Sequence, residues 1–357
     1  MTVRLVRHEL AAVVVVVAAI AGATALLLLA GGYPVGRGLA ALWGGSFGSW
    51  YAFTSATLVR TVPLLLTGTA VALAFRAGVL NIGAEGQLLV GAAAAAAMAL
   101  TLGAGGAAPL GLTLALLAAA MGGAIWAGVA ALLRTRYGVL EVISTIMLNF
   151  VAVHVVGWLV RGPLQEPSRI YPQSASIAGV ARLPLVLPGT RLHLGFLIAL
   201  AAAAALWWAV CRTAWGFRLR ASGASPTAAA SAGLIDVPRT AATAFLLSGA
   251  LAGLAGAVEV GGVTYALYEN ISPGYGYTAI AVALLARLNP LLVIGSGVLF
   301  GALEAGAGAM QRDAGVPSVM VSVVEAVVIL LLVALDRLRD RGASVASWQW
   351  GGAPARP

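Results

Sequence analysis

Apolar residues run along this chain in blocks of about twenty, broken by short polar or glycine-rich stretches. Residues 10–30 form an unbroken apolar run, too long for the ~7–15-residue core of a signal peptide. With Arg4 and Arg7 ahead of it, the run reads as an uncleaved membrane span whose N-terminus lies in the cytoplasm. Further spans are expected at about 58–75, 84–102, 108–133, 139–160, 192–211, 240–262, 277–288, 291–311 and 316–335. Together they predict an all-α polytopic transmembrane helix bundle of about ten spans, N-in and C-in. Residues 1–340 are expected as one membrane domain, with an external loop at 161–191, a cytoplasmic loop at 212–239 and a cytoplasmic tail at 341–357. Residues 31–56 read as an external loop with a short interfacial helix, because Trp43, Trp50, Tyr51 and Phe53 suit the headgroup layer.

Two blocks are interrupted. FRAGVLNIGAEG (75–86) sets Gly, Asn and Glu between two apolar runs, and ARLNP (286–290) does the same between shorter ones. Polar, helix-breaking backbone at membrane depth is tolerated where protein buries it or where it lines a cavity. Paired interruptions in a transporter point to the substrate path. The plain alternative is a cytoplasmic turn between two helices. Small residues also recur at four-residue spacing, at Gly249 and Gly253 and again at Gly297, Gly301 and Ala305. Such ridges let helix backbones approach closely, so the span around 249–256 is expected among other helices.

Composition sharpens this picture. Of 357 residues, 61% are hydrophobic and 9% charged, against ~25% charged in soluble domains, and mean hydropathy is +0.98. No soluble fold hides so much apolar surface. All 21 basic residues are Arg. A P-loop needs a Lys for the nucleotide phosphates and a Schiff base needs a Lys amine, so neither chemistry fits this chain. Fourteen of the arginines fall on the cytoplasmic side of the expected topology and seven outside, which agrees with the positive-inside rule. The net charge of +9 therefore reads as orientation rather than nucleic-acid binding. Cys211 is the single cysteine, and His8, His154 and His193 are too scattered for a metal cluster.

Acids in or near the spans are functional candidates by default. Glu85 and Glu141 open helices, where capping explains them. Glu259 belongs to the same small set, and Glu304 and Glu325 lie nearer mid-span, facing a water-filled path or a neighbouring helix. Gly44 to Gly48 (GGSFG) matches the pattern of a serine nucleophile elbow, but Ser46 lies in a predicted loop rather than a strand-to-helix turn. In the cytoplasmic segment 215–238, Arg218 and Arg220 precede a break at Ser222-Gly223. A short Ala-rich helix then runs to Gly233, with Ser225 as N-cap and Pro226 at N1. That helix is too short to span and is free to dock on a partner.

NIGAEGQLL (81–89), preceded by PLLLTGTAVALAFRAG (63–78), resembles the permease subunits of bacterial ABC importers for simple sugars and nucleosides, the nucleoside-type branch most of all. GFRLRASGASPTAAASAGL (216–234) is similar to that family's cytoplasmic loop, through Gly216, Arg220, Gly223, Ala228, Ala229, Gly233 and Leu234, and GYGYTAIAVALLARLNPLLVIGSGVLFGAL (274–303) also fits. Ser225 stands where the family often has Asn, and Ser231 where it often has Tyr.

The resemblance covers about 60–335. It implies a multi-pass protein of the bacterial inner membrane that works by alternating access. The implied partners are a second permease subunit, identical or homologous, cytoplasmic ABC ATPases that hold ATP and Mg, and an extracytoplasmic substrate-binding lipoprotein. No cofactor is expected in this chain. Gly216, Arg218, Arg220, Gly223, Ala228, Ala229 and Gly233 are expected to couple it to the ATPase. Asn81, Glu85, Gln87, Asn289 and Glu304 are expected at the path or its gate. The alternatives are an ion-coupled secondary transporter with Glu304 or Glu325 as proton site and, more remotely, an intramembrane serine protease built on Ser46.

Overall fold

Seven helices among the described residues are long and apolar enough to cross a membrane. The computed structural model describes Ala18, residues 21–104, 110–231, 233 and 235–317, and Ser322, Val323, Ala326, Val327 and Leu330. The helices are α1 (Ala21–Ala30), α2 (Val35–Ser46), α3 (Leu58–Arg76), α4 (Ala84–Ala104), α5 (Gly111–Tyr137), α6 (Glu141–Arg161), α7 (Gly195–Arg212), α8 (Ala214–Ala224), α9 (Pro226–Ser231), α10 (Val237–Glu259), α11 (Tyr275–Leu285) and α12 (Leu292–Ala314). Two π-helical segments extend the set, Ala52–Thr57 ahead of α3 and Val260–Thr264 after α10.

The chain divides into two compact units, Met1–Ser49 with Ala305–Pro357, and Trp50–Glu304. In the first, Leu28 of α1 packs with Met310 and Val316. A side chain on Gly45 of α2 would collide with Ala309, and one on Gly306 would lie 2.6 Å from the Leu42 carbonyl. The short helix expected within 31–56 is present as α2. It also carries Ser46, whose hydroxyl donates to the Leu42 carbonyl (2.8 Å). Ser46 is thus part of a helix rather than the expected loop, and no nucleophile elbow forms there.

The second unit is built around α3. Its apolar stretch is 89% buried, against 22% for that of α7, so α3 sits at the centre of the unit and α7 at its periphery. Thr61, Thr67 and Thr69 donate to the carbonyls of Thr57, Pro63 and Leu65 (2.9, 2.6 and 2.6 Å). This lets a helix carry hydroxyls through an apolar interior without unmet hydrogen bonds. The glycine ridge on α10 behaves as expected. Gly249 lies against the Gly123 carbonyl of α5, Gly253 against the Ala119 carbonyl of α5 and Gly91 of α4, and Gly256 against the Leu88 carbonyl of α4. On α12, Gly301 abuts Thr61 of α3, with the Thr57 carbonyl 2.9 Å from an added Cβ.

Three expected spans need comment. The block at 277–288 is α11, with 11 residues. At ~1.5 Å per residue that is about half the ~30 Å hydrocarbon core. The helix stops because Arg287 (φ 49°) and Leu288 (φ 57°) turn the backbone into the left-handed region. Most of the first expected span lies outside the described residues, α1 being its described end, and so does most of the last, including Glu325.

The loop after α6 is stitched to the segment after α10. Ser174, Ile177 and Leu183 donate backbone N–H groups to the carbonyls of Leu267, Tyr265 and Gly261. Arg182 lies 4.5 Å over the Tyr265 ring, and Arg161 pairs with Glu269 at 2.7 Å. Within the loop, Gln173 and Ser168 donate side-chain hydrogen bonds to Glu166 (2.7 Å each), and the Tyr171 N–H adds a third (3.2 Å). Those donors hold the Glu166 carboxyl below the usual carboxylate range.

Two outcomes follow from these contacts. Gly253→Leu should destabilise the chain in detergent by an amount typical of overpacking, about 1–3 kcal/mol or more, and so lower its melting temperature, because the collision is with backbone. Gly295→Leu, with nothing within 4 Å of an added Cβ, should leave it unchanged. Because the Glu166 carboxyl is depressed in the folded chain, its contribution is present above the unfolded carboxylate pKa and lost as pH falls through the folded value. Amide exchange at 166–173 should therefore be protected at pH 7 and accelerate in acid, and Glu166→Gln should accelerate it at pH 7.

Candidate translocation path and coupling surface

Seven residues between α3 and α4 leave the helical conformation, and most are buried. Two side chains, Asn81 and Asn149, meet backbone needs, and Gln87 braces Asn81. Asn81 and Gln87 form a reciprocal amide pair (3.0 Å each way), Asn81 Nδ2 also donates to Ser248 of α10 (2.9 Å), and its Oδ1 accepts from the Gly83 N–H (2.9 Å). From α6, Asn149 accepts from the Gly86 N–H (2.9 Å) and donates to the Ile82 carbonyl (3.0 Å) and the Tyr277 hydroxyl (3.3 Å). Asn81, Gln87 and Asn149 are each at most 1% exposed. This interruption is therefore a polar knot buried in protein, one of the two settings in which a membrane tolerates irregular backbone.

Glu85 lies in the first turn of α4, where capping its own helix was the simple expectation. Its Oε2 instead accepts from the Gly276 N–H (2.7 Å), and it is hydrogen-bonded to Ser272, whose hydroxyl oxygen accepts from the Gly274 and Tyr275 N–H groups (3.1 Å each). The carboxylate thus serves the N-terminus of the half-span α11. That end carries unpaired N–H groups and partial positive charge. Gly276 is needed here because a Cβ would run into the Glu85 backbone.

The second interruption follows α11. Asn289 makes a turn: its side-chain oxygen accepts from the Leu291 N–H (3.1 Å) and its carbonyl from Val293 (3.0 Å). Ser296 of α12 donates back to the Val282 carbonyl of α11 (2.8 Å). Glu304 of α12 faces Arg60 of α3 at 4.0 Å, both side chains partly exposed. Glu141 pairs with Arg134 at 3.3 Å. The knot joins Asn81, Glu85 and Gln87, whereas Asn289 and Glu304 belong to separate contacts.

The cytoplasmic segment forms two helices rather than one. Thr213 caps α8 by accepting from the Gly216 N–H (3.1 Å), and a side chain on Gly216 would strike the last carbonyls of α7. Ser225 accepts from the Ala228 N–H (3.3 Å) and Pro226 opens α9, as expected. Gly233, at φ 69°, takes the left-handed conformation that ends many helices.

Three details differ from expectation. The break falls at Ser225, and Gly223 is helical without a positive φ. Its lack of a side chain serves close approach instead, since a Cβ would hit the Arg76 carbonyl and come within 3.0 Å of the Gly78 N. Arg220 does not reach outward but donates to the Val210 carbonyl of α7. Ala229 is 5% exposed, so among the expected coupling residues the exposed ones are Arg218, Ala228 and Gly233. Between α8 and α9 runs a groove of about 590 Å³ lined by Phe217, Arg218, Ala221, Ser225, Ala228 and Ala229, among others.

Sequence reading missed Asn149, Ser248, Ser272 and Tyr277. A lone amide inside the 21-residue apolar helix α6 was the available signal for Asn149. The serines and tyrosine are ordinary residues whose role arises only from packing. Among the described residues, no group of three or more His, Cys, Asp or Glu side chains could hold a metal ion. Asn149→Ala would orphan the Gly86 N–H and the Ile82 carbonyl, at ~1–3 kcal/mol for each buried unpaired group. It should lower the detergent melting temperature well beyond the effect of Asn289→Ala at its less buried turn.

The family described as the branched-chain amino acid transport system, permease component, matches residues 53–334. The chain is 37% identical over 329 residues to the guanosine ABC transporter permease protein NupP of Bacillus subtilis, covering 89% of this chain and 93% of that one. It is 37% identical over 309 residues to the glucose ABC transporter permease protein TsgB13 of Haloferax volcanii, covering 84% and 80%. It is 29% identical over 286 residues to the nucleoside ABC transporter permease protein NupB of Lactococcus lactis, covering 77% and 78%. No solved structure matches the chain. The interrupted, knotted spans and the family match over most of the length lead to one conclusion: the chain belongs to the branched-chain amino acid transport system permease family and is a multi-pass, plasma-membrane permease subunit of an ABC-type importer.

Proposed function

We propose that this chain imports a nucleoside or a simple sugar by alternating access, driven by a separate ATPase that docks on α8 and α9. The substrate reading follows from the guanosine, glucose and nucleoside permeases that it resembles. The remaining partners are a second permease subunit and an extracytoplasmic binding lipoprotein. The topology is ten crossings, N-in and C-in, one of them made with the half-span α11, with residues 1–340 as the permease domain, 161–191 outside, 212–239 inside and 341–357 as a cytoplasmic tail. Without lysine, the chain lacks the phosphate-binding residue of a P-loop, so the energy comes from the partner.

The observation that carries the coupling assignment is the backbone contact between Gly223 of α8 and Arg76–Gly78. Two residues beyond Gly78, at Leu80, begins the run that leads into the Asn81 knot. Force applied to α8 and α9 reaches the knot through a contact with no side chain to absorb it, because packed interiors shift between arrangements rather than deform smoothly. Gly216, Arg220 and Gly233 shape the coupling element, and Arg218, Ala228 and the groove above Ala229 meet the ATPase. Asn81, Glu85 and Gln87 are the hinge of the cytoplasmic gate, and Asn289 and Glu304 border the path.

The test is steric. Ala228→Trp fills the exposed face of α9 and touches no span, so membrane insertion should persist. Transport and substrate-stimulated ATP hydrolysis in the reconstituted assembly should both fall at least tenfold. Normal transport by Ala228→Trp with the ATPase bound would reduce the segment to a connecting loop.

A further inference from the structure

A bare imidazole lies buried where the loop before α7 meets the end of α10. His193, two residues ahead of α7, is 0% exposed, and among the described residues neither of its ring nitrogens has a hydrogen-bond partner. Buried polar atoms are nearly always paired, and an apolar ring would fill the same space without leaving two nitrogens unmet. Two glycines make room for it. A Cβ on Gly262, in the π-helical turn after α10, would lie 2.6 Å from Cε1 of the ring and 2.7 Å from Cγ and Cδ2. A Cβ on Gly195, the first residue of α7, would lie 2.7 Å from Nδ1 and 2.6 Å from a methyl of Val258 of α10. The ring is thus wedged against the backbone of two other elements.

This wedge closes a small hairpin. Val186 and Leu194 donate backbone N–H groups to the carbonyls of Leu192 and Pro184 (2.8 Å each), and Leu185 and His193 form an isolated antiparallel bridge. The Leu183 N–H reaches across to the Gly261 carbonyl (2.8 Å). Residues 183–194 are therefore held to the end of α10 at two neighbouring points, the Leu183 N–H on Gly261 and the His193 ring on Gly262.

Neutral, the ring suits this cradle. Protonated, it would carry two N–H donors and a charge with no acceptor to receive them. The charged residues on the surrounding elements bring no relief. Burial, and after it the like charge of Arg191 in the same loop, lower the imidazole pKa to about 4. Arg182 of that loop is engaged with the Ile177 carbonyl and the Tyr265 ring, and Arg60 of α3 faces Glu304. Glu259 of α10, one residue past Val258, makes no hydrogen bond with the ring. The π-helical turn and the first turns of α7 carry no charge.

We propose that His193 is an acid-released latch: as a neutral ring it locks residues 183–194 onto the end of α10, and on taking a proton it leaves the cradle and the loop comes off with it. The latch is complete above the ordinary imidazole pKa of ~6.5. It weakens as pH falls below that value, down to the latched value of about 4. In the topology proposed above the loop is outside, so the latch answers to the extracytoplasmic pH.

The test is backbone hydrogen exchange of the full chain in nanodiscs, corrected for the intrinsic effect of pH. Between pH 7.5 and 5.5, exchange at 183–194 should rise about tenfold, the ratio set by a free imidazole pKa of ~6.5. Exchange at 166–173 should not change in this interval, because Glu166 titrates below it. His193→Phe fills the cradle with an apolar ring and should leave 183–194 protected at both pH values. His193→Met, with its adaptable apolar side chain, serves the same purpose if Phe is not accommodated. Glu259→Gln should keep the acid response. A response that persists without His193, or that vanishes in Glu259→Gln, puts the sensor elsewhere and overturns the latch. So does a wild type that shows no response at all. The importer reading rests on the family match and stands under every one of these outcomes.

Discussion

The second unit depends on satisfying seven residues of non-helical backbone inside an apolar bundle. Lipid offers no hydrogen bonds, so every N–H and C=O released between Arg76 and Ala84 must find a partner in protein. Asn81 and Asn149 supply part of that set, Gln87 braces Asn81, and the ties reach different parts of the bundle. Asn81 ties the turn to α10 through Ser248, Asn149 ties it to α6, and Glu85 ties it to the first turn of α11. The close packing of α4, α5 and α10 through Gly91, Gly123 and Gly253 brings these helices near enough for such short side chains to meet. Small residues set the distances, and amides use them.

This arrangement explains why α11 exists as a half-span. A helix that starts inside a bundle exposes its first N–H groups, and here Ser272 and Glu85 receive them. The other end is closed by the left-handed pair Arg287 and Leu288 and by the turn at Asn289. A non-glycine residue in that region is uncommon, and two in succession mark a backbone held by its surroundings rather than by local preference.

Much of this was legible in the sequence. The apolar blocks located the seven membrane-length helices, the four-residue glycine spacing located the α10 contacts, and NIGAEGQ marked the knot. Ser225 and Pro226 placed the start of α9. Partner identity was less legible. A carboxylate at a helix start reads as a cap, and only the fold reveals that Glu85 serves a helix far away in the chain. Hydropathy alone could not separate a half-span from a span at 277–288, because both are apolar and the stop is set by backbone dihedrals. Gly223 looked like a break because glycine disfavours helices, yet close approach to Arg76 accounts for it.

The threonines of α3 have a mechanical consequence. Between Thr61 and Ala74, the side-chain hydrogen bonds described all return to the helix's own backbone, so neighbours touch that stretch through dispersion and shape alone. Dispersion contacts are individually weak and lack direction, and sliding along such a surface breaks no hydrogen bond. The far end of the same helix runs straight into the knot, where a displacement breaks several. The helix is therefore tied at its flanks, by Arg60 to Glu304 at one end and by the knot at the other, with a stretch between them that can shift against its neighbours without losing its own hydrogen bonds.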